Sequence, residues 1–87
     1  MQNSVNATKE VRAVLEDVLG LRGRSDRFTA DTALLGAIPE LDSMAVVSVL
    51  NALEERFGFA VADDEIDGSA FQTFGALVAF VEHKLRS

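Results

Sequence analysis

The sequence predicts an all-α domain, a small bundle of three main helices plus one short helix, with a long first loop. Three observations predict it. Apolar residues recur at three- and four-residue spacing in separate stretches. No stretch shows the sustained alternation of a strand. Glycines stand where the periodic stretches stop. With 87 residues, 48% of them apolar, the chain has the size of one domain, 1–87, and enough apolar surface for a real core.

The first helix is expected at about 5–19, with Ala7, Val11, Val14, Leu15 and Val18 on one face. Gly20, followed by Gly23, ends it. The connection over 21–42 contains Gly23, Gly36 and Pro39, but also Phe28, Leu34, Leu35 and Ile38. An apolar connection of that length is packed down rather than free, so these side chains should pin it over the ends of the bundle. The second helix is expected at 43–57, with a stripe of Val46, Val49, Leu50, Leu53 and Phe57. Asp42 is its N-cap, because a carboxylate there accepts from the amides of the first turn, and Gly58 stops it. A short third helix at 63–67 would be capped by Asp63, face Ile66 inward and close at Gly68. The last helix is expected at 74–85, capped by Thr73, with Phe74, Leu77, Val78, Val81 and Leu85 toward the core. Lys84 and Arg86 suit its negative C-terminal end.

Composition removes several function classes. The absence of cysteine excludes a disulfide framework and a thiolate metal site. A single histidine, His83, excludes a multi-histidine zinc site. The longest apolar stretches, 44–50 and 75–81, are too short to span a membrane. The opening Met1-Gln2-Asn3-Ser4 has no basic region leading into an apolar core, so the expected location is cytoplasmic. Charge is uneven within the net −6: residues 31–67 carry nine acidic side chains against Arg56 alone. Such a surface repels nucleic acid and anionic membranes and attracts partners with basic patches.

The site suggested by the residues is Asp42-Ser43, where the loop gives way to the second helix. A serine there is exposed, sits at the positive end of a helix dipole and lies beside a carboxylate. Opposite the core stripe the same helix carries Met44, Val47, Ser48, Asn51 and Glu55. A purely solvated face would be charged. Apolar Met44 and Val47, ringed by Glu40, Asp42, Glu54 and Glu55, read instead as a recognition patch with an acidic rim. The competing reading is that the long loop covers them.

The run Leu41-Asp42-Ser43-Met44 opening a helix, followed by Leu50-Asn51-Ala52-Leu53-Glu54-Glu55-Arg56-Phe57, resembles the acyl carrier protein family. So do Val61-Ala62-Asp63-Asp64-Glu65-Ile66, Phe71-Gln72-Thr73 and Leu77-Val78-Ala79-Phe80-Val81. The resemblance extends from Val11 to Leu85 and implies an acyl-carrier-like fold. It also implies that Ser43 takes a covalent 4′-phosphopantetheine from coenzyme A through a separate phosphopantetheinyl transferase with Mg²⁺, and that Asp42 supports metal and cofactor in that complex. The thiol of the arm would hold an acyl or aminoacyl group as a thioester, so the chain would be a carrier and not a catalyst. Glu40, Met44, Val47, Ser48, Asn51 and Glu55 match the region that partner enzymes read. Those partners would be an acyl- or aminoacyl-activating ligase, a synthase or an acyltransferase with a basic docking patch, meeting a monomeric carrier. Two positions depart from the family: Ser48 stands where an acid is frequent, and Glu40 stands where many carriers have glycine. These departures resemble stand-alone carriers of specialised pathways, some accompanying exopolysaccharide and exosortase systems, more than the housekeeping fatty-acid carrier.

Three other readings compete. Asp63-Asp64-Glu65-Ile66-Asp67-Gly68 imitates the start of a calcium loop, but the twelfth position, which needs a bidentate glutamate, is Phe74. A hydrolase using Ser43 would need a base, only His83 is available, and there is no Gly-x-Ser-x-Gly elbow. The serious rival is an unmodified helical interaction module in which Ser43 is simply a first-turn residue.

Overall fold

The computed structural model describes residues 6–62, 65 and 68–86. Among the described residues, three helices, α1 (Ala7–Leu19), α2 (Ser43–Phe57) and α3 (Phe74–Arg86), surround one core, with 3₁₀ turns at Arg24–Arg27 and Gly68–Phe71. The first helix starts later than the expected residue 5, because Asn6 caps it by accepting from the Lys9 amide at 3.1 Å. Gly20 and Gly58 end α1 and α2 in the left-handed conformation that favours glycine, with φ of 63° and 76°. Of the expected short helix, residues 63, 64, 66 and 67 lie outside the described residues and Glu65 lies in a turn.

Each helix buries the stripe its spacing sets apart. From α1 come Ala7, Val11, Val14, Leu15 and Leu19, from α2 Val49 and Leu53, and from α3 Phe74, Leu77, Val78 and Val81. Val18, Val46, Leu50 and Phe57 are half-buried against this cluster. Arg56 near the end of α2 pairs with Glu10 near the start of α1, so the two helices run antiparallel. Leu85 departs from expectation: it is 38% exposed, because the apolar stripe of α3 runs one turn past the elements that cover it.

The long connection packs down and also completes α3. The first amides of a helix have no intrahelical acceptor. Here Thr32 and Ala30 of the connection supply carbonyls to the amides of Phe74 (2.8 Å) and Gly75 (2.9 Å), while the Thr73 hydroxyl takes the Ala76 amide at 3.0 Å. In return the Leu34 and Leu35 amides donate to Gln72 and Phe71, both at 2.9 Å. Leu34 is wholly buried, and Phe28 and Ile38 are half-buried against the core. Leu35 is 42% exposed, contrary to its expected role as a pin: it stands in the turn that the Ala37 and Ile38 amides close on the Leu34 carbonyl, and there its side chain is left partly in solvent.

This close approach explains a glycine in the first turn of α3. A Cβ on Gly75 would stand 2.7 Å from the Ala30 carbonyl oxygen, a backbone atom with little room to yield. Gly75→Ala should therefore destabilise the domain by about 1–3 kcal/mol through overpacking, although alanine is intrinsically the better helix former by ~1 kcal/mol. Urea denaturation checks the sign: a gain in stability would mean that the connection is not seated on α3.

Candidate functional site

The residues around Ser43 are placed by the helix they open. Asp42 is in extended backbone, and its carbonyl accepts the first α-helical bond, from the Val46 amide at 3.0 Å. Its Oδ1 accepts from the Ala45 amide at 2.8 Å, which makes it the expected N-cap. Ser43 follows as the first residue of α2 and is exposed. The positive end of the helix dipole and the first-turn amides therefore lie where a negative group on its hydroxyl would stand.

The lead-in is a succession of turns. The amides of Ala37 and Ile38 donate to the Leu34 carbonyl at 3.0 and 2.9 Å, and the Leu41 amide donates to Ile38 at 3.0 Å. Leu41 is buried, which anchors the chain two residues before Ser43. Glu40 pairs with Arg24, on the turn after α1. Its own backbone amide, and then Arg24, hold the Glu40 carboxyl below the usual range. On α1, Glu16 is likewise lowered, first by the Ser25 hydroxyl at 2.6 Å and then by the Gly23 amide at 2.9 Å.

Met44 and Val47 are displayed, at 76% and 54% exposure, so the long connection does not cover them. Ser48, Asn51 and Glu55 are exposed along the same helix. Glu54, read from the sequence as part of the acidic rim, is turned to accept the Val61 amide at 2.7 Å and fixes the chain after α2. Glu55 borders an open groove of about 320 Å³ between α1 and α2, lined by Val14, Asp17, Val18, Ala52 and Arg56. His83 is exposed on α3. The acidic run imitating a calcium loop falls, apart from Glu65 and Gly68, outside the described residues.

Sequence reasoning missed Arg24 and Glu16, which tie the turn after α1 to α1 itself and to the lead-in. Charge spacing alone gave no signal for them, because their partners lie 16 and 9 residues away. Gly75 did leave a signal: a glycine within a helix costs about 1 kcal/mol unless packing requires it.

Comparison with known proteins fits this geometry. The family model described as "Phosphopantetheine attachment site" matches residues 9–81. The solution NMR structure of a holo acyl carrier protein from Nitrosomonas europaea superimposes with a TM-score of 0.87 at 54% sequence identity, covering 95% of this chain and 100% of that one. No protein with a curated description matches.

Proposed function

This chain belongs to the phosphopantetheine-attachment family and is an acyl carrier, and we propose that Ser43 is the residue bearing its 4′-phosphopantetheine. The observation that carries this reading is the placement of Ser43: exposed, first in α2, with the Asp42 carboxylate capping the helix beside it. The site fits a phosphodiester. A negative group at a helix N-terminus gains about 0.3–1 kcal/mol from the dipole, and the exposed hydroxyl is open to an incoming enzyme.

Ser43 needs no base of its own. In loading, its Oγ forms a bond to the pantetheine-side phosphorus of coenzyme A, the nucleotide half leaves, and the hydroxyl proton passes to the transferase. Asp42 contributes a carboxylate next to that oxygen, suited to the Mg²⁺ the transferase brings. When attached, the arm supplies a thiol that holds cargo as a thioester; the protein supplies attachment, presentation and recognition. The working location is the cytoplasm; among the described residues no helix is long and apolar enough to cross a membrane.

The docking surface is the exposed side of α2: Met44 and Val47 at its centre, with Ser48, Asn51 and Glu55 beside them, and Glu40 just outside it, turned toward Arg24. Partners are the transferase and an acyl- or aminoacyl-activating ligase, synthase or acyltransferase whose docking patch is basic. Met44→Glu and Val47→Glu should each slow transfer about fivefold or more while changing stability by less than about 0.5 kcal/mol. Equal losses of transfer and stability would return these residues to the core.

The carrier reading is tested by incubating the full chain with coenzyme A, Mg²⁺ and a broad-specificity phosphopantetheinyl transferase, then with an acyl-activating ligase. The expected product gains one phosphopantetheine and then an acyl group released by hydroxylamine. An active transferase that leaves the mass unchanged would favour an unmodified interaction module.

A further inference from the structure

The lead-in to Ser43 is fastened to the end of α1 through one guanidinium. Arg24 opens the 3₁₀ turn that follows α1. Its Nε donates to the Leu21 carbonyl at 3.1 Å, and its Nη2 pairs with Oε2 of Glu40, three residues before Ser43. The turn carrying Arg24 is itself anchored, because Glu16 of α1 accepts from the Gly23 amide and from the hydroxyl of Ser25, which is 2% exposed. Arg24 therefore projects from a fixed base. At the other end, Oε1 of Glu40 is enclosed and the neighbouring Leu41 is buried. Glu40 is turned back toward the domain, whereas Met44, two residues beyond Asp42, is displayed.

We infer that Arg24 and Glu40 are positioning residues for loading: their ion pair clasps the lead-in to the end of α1 and keeps Ser43 in the arrangement the transferase binds. This rests on the reading of Ser43 as the attachment serine. It assigns Glu40 an effect through Arg24 rather than through contact with the enzyme. A half-exposed ion pair biases an equilibrium by only about two- to fivefold. A substrate whose competent form is less populated binds more weakly by the same factor. Once the complex has formed, the enzyme imposes the geometry, so the effect belongs in KM and not in kcat.

The test is steady-state loading of the full-length apo protein by a broad-specificity transferase with coenzyme A and Mg²⁺. Four forms are compared: wild type, Arg24→Ala, Glu40→Gln, and the reversed pair Arg24→Glu with Glu40→Arg. Either single variant should raise KM about two- to fivefold at unchanged kcat, and the reversed pair should recover part of the loss. In the NMR spectrum of the apo protein, Arg24→Ala should shift the amides of Leu41, Asp42 and Ser43, a readout independent of any enzyme. A KM effect from Glu40→Gln with none from Arg24→Ala would place Glu40 in contact with the transferase and overturn the clasp. So would a reversed pair no better than the singles, or unmoved amides. Normal loading of every variant overturns this inference alone. Failure of the wild type to load overturns the attachment reading and this inference with it.

Discussion

Phe74→Ala should lower folding stability by about 3–5 kcal/mol, among the largest losses expected from one truncation in this domain. Phe74 is 2% exposed and opens α3 where three parts of the chain meet. Its ring lies 5.6 Å from that of Phe28, tilted by 59°. The Arg12 guanidinium of α1 sits 5.3 Å from the ring centroid, while its Nη2 donates to the Phe28 carbonyl at 3.1 Å. Truncation opens a cavity and removes the surface on which both the long connection and Arg12 rest. The hydrophobic loss dominates, since a partly desolvated cation–π contact adds only about 1 kcal/mol. Against a total of about 5–15 kcal/mol for a typical protein, so large a loss leaves a substantial unfolded fraction. Urea denaturation monitored by helicity measures it. A loss below about 1 kcal/mol would show that Phe74 is not the junction between α1, α3 and the connection.

Ser43→Ala should have the opposite profile, with all loading lost and the fold unchanged. Asp42, not Ser43, caps α2, and Ser43 is exposed. Alanine favours the helix slightly more than serine, so stability should stay within about 0.5 kcal/mol of wild type. A helix-stabilising role for Ser43 would reverse this pattern, costing stability and sparing loading. Ser48→Ala is the natural companion: that serine is exposed on the same helix but lacks the N-terminal amides and the adjacent carboxylate, so without it the protein should still load to one phosphopantetheine per chain, at a rate lowered only by the docking contact it loses.

The helices and caps were legible because each rests on local chemistry. Asp42, Thr73, Gly20 and Gly58 perform the roles their residue types suggest, and the spacing of Val49, Leu53, Leu77 and Val81 marks the buried side. Leu35 and Leu85 were misread because hydropathy records what a side chain prefers, whereas burial needs a neighbour to cover it. The carbonyls that complete the start of α3 come from Ala30 and Thr32, more than forty residues before the amides they accept from, and no local pattern announces them. The serine, its cap and the exposed apolar pair on α2 could be read from the sequence. Arg24 could not, since its pairing with Glu40 exists only after the first connection has folded back.

The measurement that bears most directly on the central claim is peptide-level mass spectrometry of the protein after loading. Wild type and Ser48→Ala should each gain one phosphopantetheine, located on Ser43 in the fragment spectrum, and Ser43→Ala should gain none. An added phosphopantetheine on Ser48, or a Ser43→Ala protein that still loads, would contradict the assignment.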